Sequence, residues 1–162
     1  MENAITQFER VRIEMEAVVP IIREFENAFG KEAVRRVLEA RIAGNLERAR
    51  NNEAYLGREP DFEKAREGIE FYSAGGALQY DVIACDKDTL QFNVTDCEYA
   101  KMMRELDATD LGHLFVCQGD FAGAYRSGME LTRTQTRMQG HPYCDFRYHR
   151  RSRSRASSEA QR

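Results

Sequence analysis

The sequence predicts an α+β fold, in which N-terminal helices precede a ββααββ unit whose four strands form one antiparallel sheet covered by helices. Two observations favour it. Apolar residues recur at helical spacing over residues 3–72, and after Gly76 short runs rich in β-branched and aromatic residues take over. The length of 162 residues suits one domain, so we expect residues 1–148 to form it, with a helical part over 1–76 and a sheet-containing part over 77–148.

Three helices are predicted in the helical part. The first covers residues 3–28, where Pro20 kinks or splits it, and Gly30 after it is a natural C-cap. The second covers residues 31–51 and the third residues 61–72. Their apolar stripes can pack on the rest of the domain or on a second copy of the chain, so a homodimer is one interpretation of this surface.

The sheet-containing part predicts two pairs of strands with two short helices between the pairs. Each strand is a short run of β-formers, and a polar turn joins the first two into a hairpin. In chain order the predicted elements are strands 78–85 and 90–97, helices 97–106 and 110–117, and strands 129–139 and 143–149.

Charge is unevenly distributed along the chain. Residues 147–162 hold six arginines and one glutamate, a net charge of +5, which leaves −8 on residues 1–146 for the total of −3. Residues 149–162 lack apolar periodicity and are predicted to be a disordered arginine-rich tail. Because the basic charge does not continue into the body, the composition does not favour a nucleic-acid partner.

Location is predicted from what the sequence lacks. It has no run of about 18 apolar residues, so no membrane span or membrane partner is expected. The N-terminal stretch is charged and lacks the apolar core of a signal peptide. We therefore expect a cytoplasmic, reducing location, in which the four cysteines are thiols or ligands rather than disulfides.

Cys97 is the first candidate for chemistry. Thr95 and Glu98 fit a capping box with Thr95 as the N-cap, which puts Cys97 in the first helical turn. The positive end of a helix lowers a thiol pKa there and favours the thiolate. Cys97 is thus a candidate nucleophile or ligand, and the alternative is a small buried residue at a strand–helix joint.

Cys117 and Asp120 form the next constellation. Three residues apart, they share a face if the chain stays helical. Gly119 predicts an interruption, in which case Asp120 caps a helix that begins at Phe121. His141, in the turn before the last strand, is either a surface residue or a candidate for the site.

Zinc is an open alternative, although no cofactor is firmly implied. Zinc accepts cysteine, histidine and carboxylate ligands. The chain offers a set without the close cysteine pairs of structural zinc sites, since the cysteines are separated by 20 and 27 residues. The set comprises Cys97, Cys117 and Cys144, with Asp120 or His141 as the fourth ligand.

Cys144 and Asp145 are adjacent but are not expected to act as a pair. Successive side chains of a strand point to opposite faces. Cys144 is therefore expected to face the helices, together with Phe146. Asp145 lies on the other face, where it can pair with Arg147 or Arg133 as a structural or proton-handling group.

Taken in order, several segments of residues 90–148 resemble the L-2-amino-thiazoline-4-carboxylic acid hydrolase family. The matches are spaced along the chain, which makes them more specific together than singly. One departure is the segment 107–110, which replaces a glycine-containing turn. The residues that carry the resemblance are Asn93, Val94 and Thr95 before Cys97 and Tyr99, Cys117 with Asp120, the run 131–136, and the run 140–147.

The resemblance implies a hydrolase that opens a cyclic isothiourea or amidine ring, a small-molecule substrate. The named reaction adds water across the C2–S bond of the thiazoline and gives N-carbamoyl-cysteine. We hypothesise that a thiolate attacks C2, that carboxylates move protons, and that an arginine holds the substrate carboxylate. The candidate catalytic residues are Cys97, Cys117, Asp120, Cys144 and Asp145, and the candidate substrate-binding residues are Tyr99, Arg133, Thr134 and His141.

Two alternatives remain open at this point. In one, zinc held by the three cysteines activates water in place of a thiolate attack. In the other, the chain is not an enzyme but a small-molecule-binding sensor domain with a structural Cys/Asp metal site.

Overall fold

The computed structural model describes residues 5–152, and its elements follow the predicted order. The helices are α1 (Gln7–Phe29), α2 (Lys31–Arg50), α3 (Phe62–Ser73), α4 (Glu98–Glu105), α5 (Thr109–Gly112) and α6 (Gly119–Arg126). The strands are β1 (Leu78–Cys85), β2 (Thr89–Cys97), β3 (Met129–Thr132) and β4 (Cys144–Arg150). A π-helical turn (His113–Cys117) joins α5 to α6, and short 3-10 turns lie at Glu53–Tyr55, Ala74–Gly76 and Arg137–Gln139.

The four strands form one antiparallel sheet in the order β1-β2-β4-β3. The predicted α+β fold with a four-stranded antiparallel sheet is therefore confirmed. β2 and β4 lie at the centre, with Phe92 opposite Phe146 and Val94 opposite Cys144. The rings of Phe92 and Phe146 stack with centroids 4.7 Å apart.

The N-terminal helices begin and end where local chemistry favours it. Thr6 and Glu9 form a capping box at the start of α1. Pro20 lies inside α1 without splitting it. Gly30 caps the helix as predicted: its N–H donates to the carbonyl of Glu26 at 2.9 Å, and its φ of +86° is accessible to glycine.

The core consists of two clusters that meet at Cys97. One lies between α1, α4, α5 and the 3-10 turn at Arg137–Gln139, and it includes Met102, Met103 and Leu111. The other lies between the sheet and helices α3 and α6. Its buried members include Phe62, Ile69, Leu90, Phe92, Val94, Ala124, Leu131 and Cys144. The site described below lies at the end of the helical layer, beside β3.

The predicted strand over residues 129–139 is wrong beyond Thr132. β3 pairs with β4 only as far as Thr132 opposite Arg147. After that point the backbone N–H groups of Thr134 and Gln135 donate to the side-chain carboxylate of Asp145 and not to the backbone of β4. The chain therefore leaves the sheet and forms the 3-10 turn at Arg137–Gln139.

Two predictions about helix starts are also wrong. Cys97, in extended conformation, is itself the N-cap of α4, whereas Thr95 belongs to β2 and its hydroxyl donates to the carbonyl of Gln79 at 3.3 Å. Gly119 does not interrupt the helical stretch, because α6 begins there. Asp120 lies in the first turn of α6 and does not cap a helix at Phe121.

The C-terminal end of the described chain is held by strand pairing and by arginines. β4 continues through His149 and Arg150, two residues that fall within the predicted tail. The Arg151 guanidinium donates to the carbonyl of Tyr55 at 2.6 Å and lies 4.0 Å from the centroid of the Tyr125 ring. The rest of the predicted tail, from residue 153, lies outside the described residues. Within residues 5–152, no helix has the length and apolar character that a membrane crossing requires.

Candidate active site

A small cleft of about 160 Å³ opens between the π-helical turn, α6 and the segment that follows β3. This is well below the roughly 300–1,000 Å³ of sites for drug-sized ligands, so it suits a small molecule. Its walls are mostly polar. They are formed by His113, Gln118, Phe121, Arg133, Thr134, Gln135, Thr136 and Gln139.

A larger hollow of about 550 Å³ lies at the end of α2. It is lined by Gly44, Glu47, Arg48, Asn51, Asn52 and Glu53. It brings together none of the cysteines or histidines, and Arg48 within it donates to the side chain of Asn45. We therefore place the candidate site in the smaller cleft.

Arg133 is the buried charge of the cleft. Only 2% of its side chain is exposed. One terminal nitrogen donates to the Asp120 carboxylate at 2.5 Å, and the other donates to the carbonyl of Cys117 at 2.8 Å. The guanidinium carbon also lies 5.3 Å from the ring centroid of Phe121 and 4.9 Å from that of Phe146, within cation–π range. Arg133 is the first residue after the end of β3.

Asp120 and Arg133 form an ion pair with unequal burial, since 35% of the Asp120 side chain is exposed. Burial raises the pKa of the Asp120 carboxyl, and the Arg133 guanidinium opposes this shift. Burial lowers the pKa of Arg133, but Asp120 outweighs this and leaves the pKa above its usual value. Arg133 therefore stays charged, and Asp120 is the partner that can reach a ligand or solvent.

Asp145 anchors the cleft wall. The predicted pairing of Asp145 with Arg147 or Arg133 is wrong. Its carboxylate accepts from the backbone N–H of Thr134 at 3.0 Å, from the Thr134 hydroxyl at 2.7 Å and from the N–H of Gln135 at 2.8 Å. Burial raises its pKa, but these hydrogen bonds outweigh that effect and leave the pKa below its usual value. Arg147 instead donates to the side chain of Asn93 at 2.9 Å.

His113 occupies the first position of the π-helical turn and lines the cleft. Its Nε2 lies 2.9 Å from the side-chain nitrogen of Gln118. Its Nδ1 is buried and has no hydrogen-bond partner among residues 5–152. Burial and the nearby Arg133 guanidinium lower the pKa of the imidazole, which favours its neutral form at neutral pH.

The short helix before the π-helical turn is fixed by an ion-pair cluster. Asp110 in α5 accepts from Arg23 of α1 at 2.9 Å and from Arg35 of α2, and Lys31 lies 3.4 Å away. These cations hold the pKa of Asp110 well below its usual range, against the effect of burial. Asp110 thus ties α5, and through it the π-helical turn with His113, to α1 and α2.

The three candidate cysteines lie behind the cleft and not on its surface. Cys97 packs against both core clusters, and Cys144 is 6% exposed. The Cys144 sulfur accepts from the backbone N–H of Arg137 at 3.1 Å. As predicted, Cys144 and Phe146 share the face of the sheet toward the helices. Cys117 contributes its carbonyl, not its thiol, to the Arg133 site.

Burial raises the pKa of all three thiols. For Cys97 the pKa rises to about 11, although the backbone N–H groups of Ala100 and Tyr99 at the start of α4 oppose the shift. The predicted lowering of this pKa is therefore wrong in its net direction. Burial also raises the pKa of Cys117 and Cys144, with Arg133 acting against it in each case. Neutral thiols are the expected forms near pH 7.

The zinc alternative finds no ligand set among residues 5–152. No group of three or more histidine, cysteine, aspartate or glutamate side chains in this range lies close enough to hold a metal ion. Asp120, the carboxylate of the predicted set, forms an ion pair with Arg133. The residues as placed do not fit zinc, and we derive no step through a metal.

Two of the predicted substrate-binding residues lie outside the cleft. Tyr99 is buried, its hydroxyl donates to the carbonyl of Tyr72 at 3.0 Å, and its ring packs edge-on against Phe8. His141 is exposed, and its backbone N–H donates to the carbonyl of Thr136 at 3.2 Å. Arg133 and Thr134 do line the cleft.

The cleft also contains residues that are not among the predicted site residues. They include His113 and the glutamines Gln118, Gln135 and Gln139. One signal could have indicated His113: in a helix it lies four residues before Cys117 and so near the same face. The glutamines carry no comparable signal, because their position depends on where β3 ends.

Comparison with known proteins gives one match. Residues 10–148 match the family model described as L-2-amino-thiazoline-4-carboxylic acid hydrolase, which covers most of the chain and the whole of the cleft. No curated protein and no solved structure matches the chain.

Proposed function

Because the chain belongs to the L-2-amino-thiazoline-4-carboxylic acid hydrolase family, we propose that it opens a small cyclic isothiourea or amidine ring in this cleft. The model substrate is L-2-amino-thiazoline-4-carboxylate, and water adds across its C2–S bond to give N-carbamoyl-cysteine. One observation carries the choice of site. The ion pair of Arg133 and Asp120 stands beside the cleft, where both charges of such a substrate can be met.

The charges of the cleft complement those of the substrate. The ring carries a carboxylate, and its amidine group is cationic when protonated. Three of the five guanidinium N–H groups of Arg133 remain after its bonds to Asp120 and Cys117, which leaves donors for the carboxylate. Asp120 is not among the lining residues, but it is bonded to Arg133 and 35% of its side chain is exposed, and in this proposal the exposed part pairs with the amidinium and exchanges a proton with the ring nitrogen.

The remaining cleft residues supply neutral hydrogen-bonding groups. The side-chain amides of Gln118, Gln135 and Gln139 line the walls, and each offers both donors and an acceptor. Thr134 contributes its position more than its hydroxyl, since that hydroxyl donates to Asp145. The predicted role of Thr134 as a direct ligand is therefore replaced in this proposal by the glutamine amides.

Water is the nucleophile in this proposal. The Cys97 thiol is absent from the cleft walls, and burial raises its pKa to about 11, which leaves little thiolate near pH 7. Attack by the Cys97 thiolate stays a competing hypothesis. The two routes differ in timing. When a thiolate attacks C2, the ring sulfur becomes a free thiol while C2 is still bound to the enzyme, so the thiol appears before the carbamoyl product. When water attacks C2, the thiol and the carbamoyl group of the product form together.

The test is a rapid-mixing assay of the purified full chain with L-2-amino-thiazoline-4-carboxylate. Free thiol and N-carbamoyl-cysteine are followed separately during the first turnover. Under the proposal both appear together, and in ¹⁸O-labelled water one ¹⁸O atom enters the carbamoyl oxygen. A burst of the substrate's own thiol equal to the enzyme concentration, ahead of the carbamoyl product and with loss of one protein thiol, contradicts the water route and supports the thiolate.

A wider panel decides whether the chain is an enzyme at all. Cyclic isothioureas and amidines with and without a carboxylate are assayed for turnover, and binding is measured by calorimetry on the same samples. Saturable binding with no turnover of any member overturns the hydrolase and favours the sensor alternative. Turnover that requires the carboxylate supports the role of Arg133.

A further inference from the structure

We propose that His113 is the general base that activates the attacking water, an inference that rests on the hydrolase function proposed above. Among the described residues that line the cleft, His113 is the one histidine, and it lies near Arg133. A general base must lie within hydrogen-bond reach of the water or of a group that holds it. The geometry of the π-helical turn supplies this position.

The π-helical turn brings His113 and Gln118 together. The backbone N–H of Gln118 donates to the carbonyl of His113 at 3.1 Å, an i to i+5 bond. In an α-helix, residues five apart point about 140° away from each other, since each residue turns by about 100°. The wider turn places both side chains in the same cleft, with their nitrogens 2.9 Å apart. Such turns occur frequently at functional sites.

Nε2 of His113, which meets the side-chain amide of Gln118 in the cleft, is the atom that takes the proton of the water. The side-chain nitrogen of Gln118 lies 2.9 Å from Nε2 and can donate to it, which leaves the lone pair of the ring on Nε2, where a water can take the place of this donor. Nδ1 then carries the ring proton, and it is buried without a partner within the described residues. Gln118 then fixes the tautomer of His113, as an orienting group does for a catalytic imidazole.

The surroundings of His113 keep it neutral without competing for its proton. The elements packed against the π-helical turn carry Arg35 on α2, Asp110 on α5, Asp120 on α6 and Arg137 on the 3-10 turn. Each of these is engaged elsewhere, in ion pairs or in hydrogen bonds to backbone carbonyls. Arg133 is the charge that acts on the imidazole, and its sign disfavours protonation.

The step balances as follows. The water oxygen bonds to C2 of the protonated ring, one water proton moves to the imidazole, and the π electrons of the C=N bond pass to nitrogen. The C2–S bond then breaks, sulfur keeps the electron pair, and the imidazolium returns its proton to sulfur. The second proton of the water, left on the new carbonyl oxygen, passes to solvent. This release balances the proton that the amidinium form of the substrate carried.

The experiment compares His113→Gln, His113→Asn and His113→Ala with wild type and with His149→Gln, a matched change at an exposed histidine on β4. Folding is checked by thermal melting and substrate binding by calorimetry. We expect kcat to fall by about 100- to 10,000-fold in all three His113 variants, with Kd changed by less than about tenfold. The wild-type kcat/KM should decrease as the pH drops below about 6.5, because the base becomes protonated.

Added imidazole distinguishes a base from a structural residue. In His113→Ala, rescue should depend on imidazole concentration and follow the basicity of substituted imidazoles, which a packing defect does not produce. A folded His113→Gln variant with wild-type kcat and an unchanged acid limb overturns this inference and leaves the hydrolase intact. Failure of the wild-type chain to turn over any ring overturns both. Loss of kcat with unaffected binding and imidazole rescue supports it.

Discussion

The cleft and the three cysteines Cys97, Cys117 and Cys144, which do not line it, differ in what their polar groups can do. On the cleft side, His113 has an unpaired nitrogen, and Asp120 is partly exposed. On the cysteine side, Cys97 and Cys144 are enclosed by the core, and burial raises their thiol pKa values. Reactive residue types occur on both sides, but only the cleft combines charge, free hydrogen-bonding capacity and access.

The difference follows from where the chain leaves its regular elements. Cys97 ends β2 and Cys144 begins β4, and both side chains pack into the core cluster between the sheet and the helices. The cleft forms where regular structure stops: at the π-helical turn and after the end of β3 at Thr132. Polar groups whose partners are not supplied by the sheet or by helices are there available to a ligand.

The largest effect is expected from Arg133→Leu, which leaves the Asp120 carboxylate without its partner. Breaking a fully buried pair costs about 3–5 kcal/mol, and we expect about 2–4 kcal/mol here because a third of Asp120 is exposed. The kcat/KM for a carboxylate-bearing substrate should fall by at least about tenfold, the scale of a lost hydrogen bond to a charged group. Urea unfolding and steady-state kinetics measure the two effects.

Two controls sharpen this prediction. Arg10→Gln removes one partner of the exposed Arg10–Glu14 pair and should cost about 0.5 kcal/mol or less. The double change Arg133→Leu with Asp120→Leu should recover part of the stability but none of the activity, because no charge is then left unpaired. A loss below about 1 kcal/mol for Arg133→Leu alone contradicts the buried ion pair.

The contrast between the two sides also sets the limit of prediction from sequence. The fold class, the strand order along the chain and the Gly30 cap follow from periodicity and glycine placement, which act locally. The roles of Asp145 and Arg133 do not. Asp145 accepts from the backbone N–H and the hydroxyl of Thr134 and from the backbone N–H of Gln135 and not from Arg147, and only the folded loop places these three donors there.

Cys97 shows the same limit for chemistry. Its sequence context indicates a helix start, and a helix start lowers a thiol pKa. The structure does place it at the N-cap of α4, but between two core clusters, where burial outweighs the backbone N–H groups. Burial is a tertiary property that no local pattern encodes, so the direction of the shift was not predictable.

Asp145→Asn tests the wall of the cleft and should have the next largest effect. The amide oxygen can replace the carboxylate oxygen that accepts from the backbone N–H groups of Thr134 and Gln135, but both bonds lose their charge assistance, and an NH₂ group replaces the oxygen that accepts from the Thr134 hydroxyl. We expect a cost of about 1–2 kcal/mol and a rise in KM larger than the fall in kcat. Asp81→Asn, at an exposed position on β1, is the matched control and should change neither.

The contribution of Asp145 should also depend on pH in a defined direction. Its pKa in the folded chain lies below the unfolded value of about 3.9, so its stabilising effect is fully present above that value and disappears as the pH falls through the folded pKa. Hydrogen exchange of the Thr134 and Gln135 amides, corrected for intrinsic rates, should lose protection in this acidic window. Equal protection in wild type and Asp145→Asn at pH 6 contradicts the anchoring role.

The smallest effect on activity is expected from Cys97→Ala, on the cysteine side. Since Cys97 lies behind the cleft, kcat and KM should each change by less than about threefold, or about 0.7 kcal/mol. Stability should fall by about 1–2 kcal/mol, less than for the removal of a buried leucine, because one sulfur atom leaves the core. Cys85→Ala, at the end of β1, is the matched control.

The rate of Cys97 alkylation should keep rising with pH toward its pKa of about 11. A folded Cys97→Ala variant that binds substrate normally and has no activity overturns the contrast and restores the thiolate route.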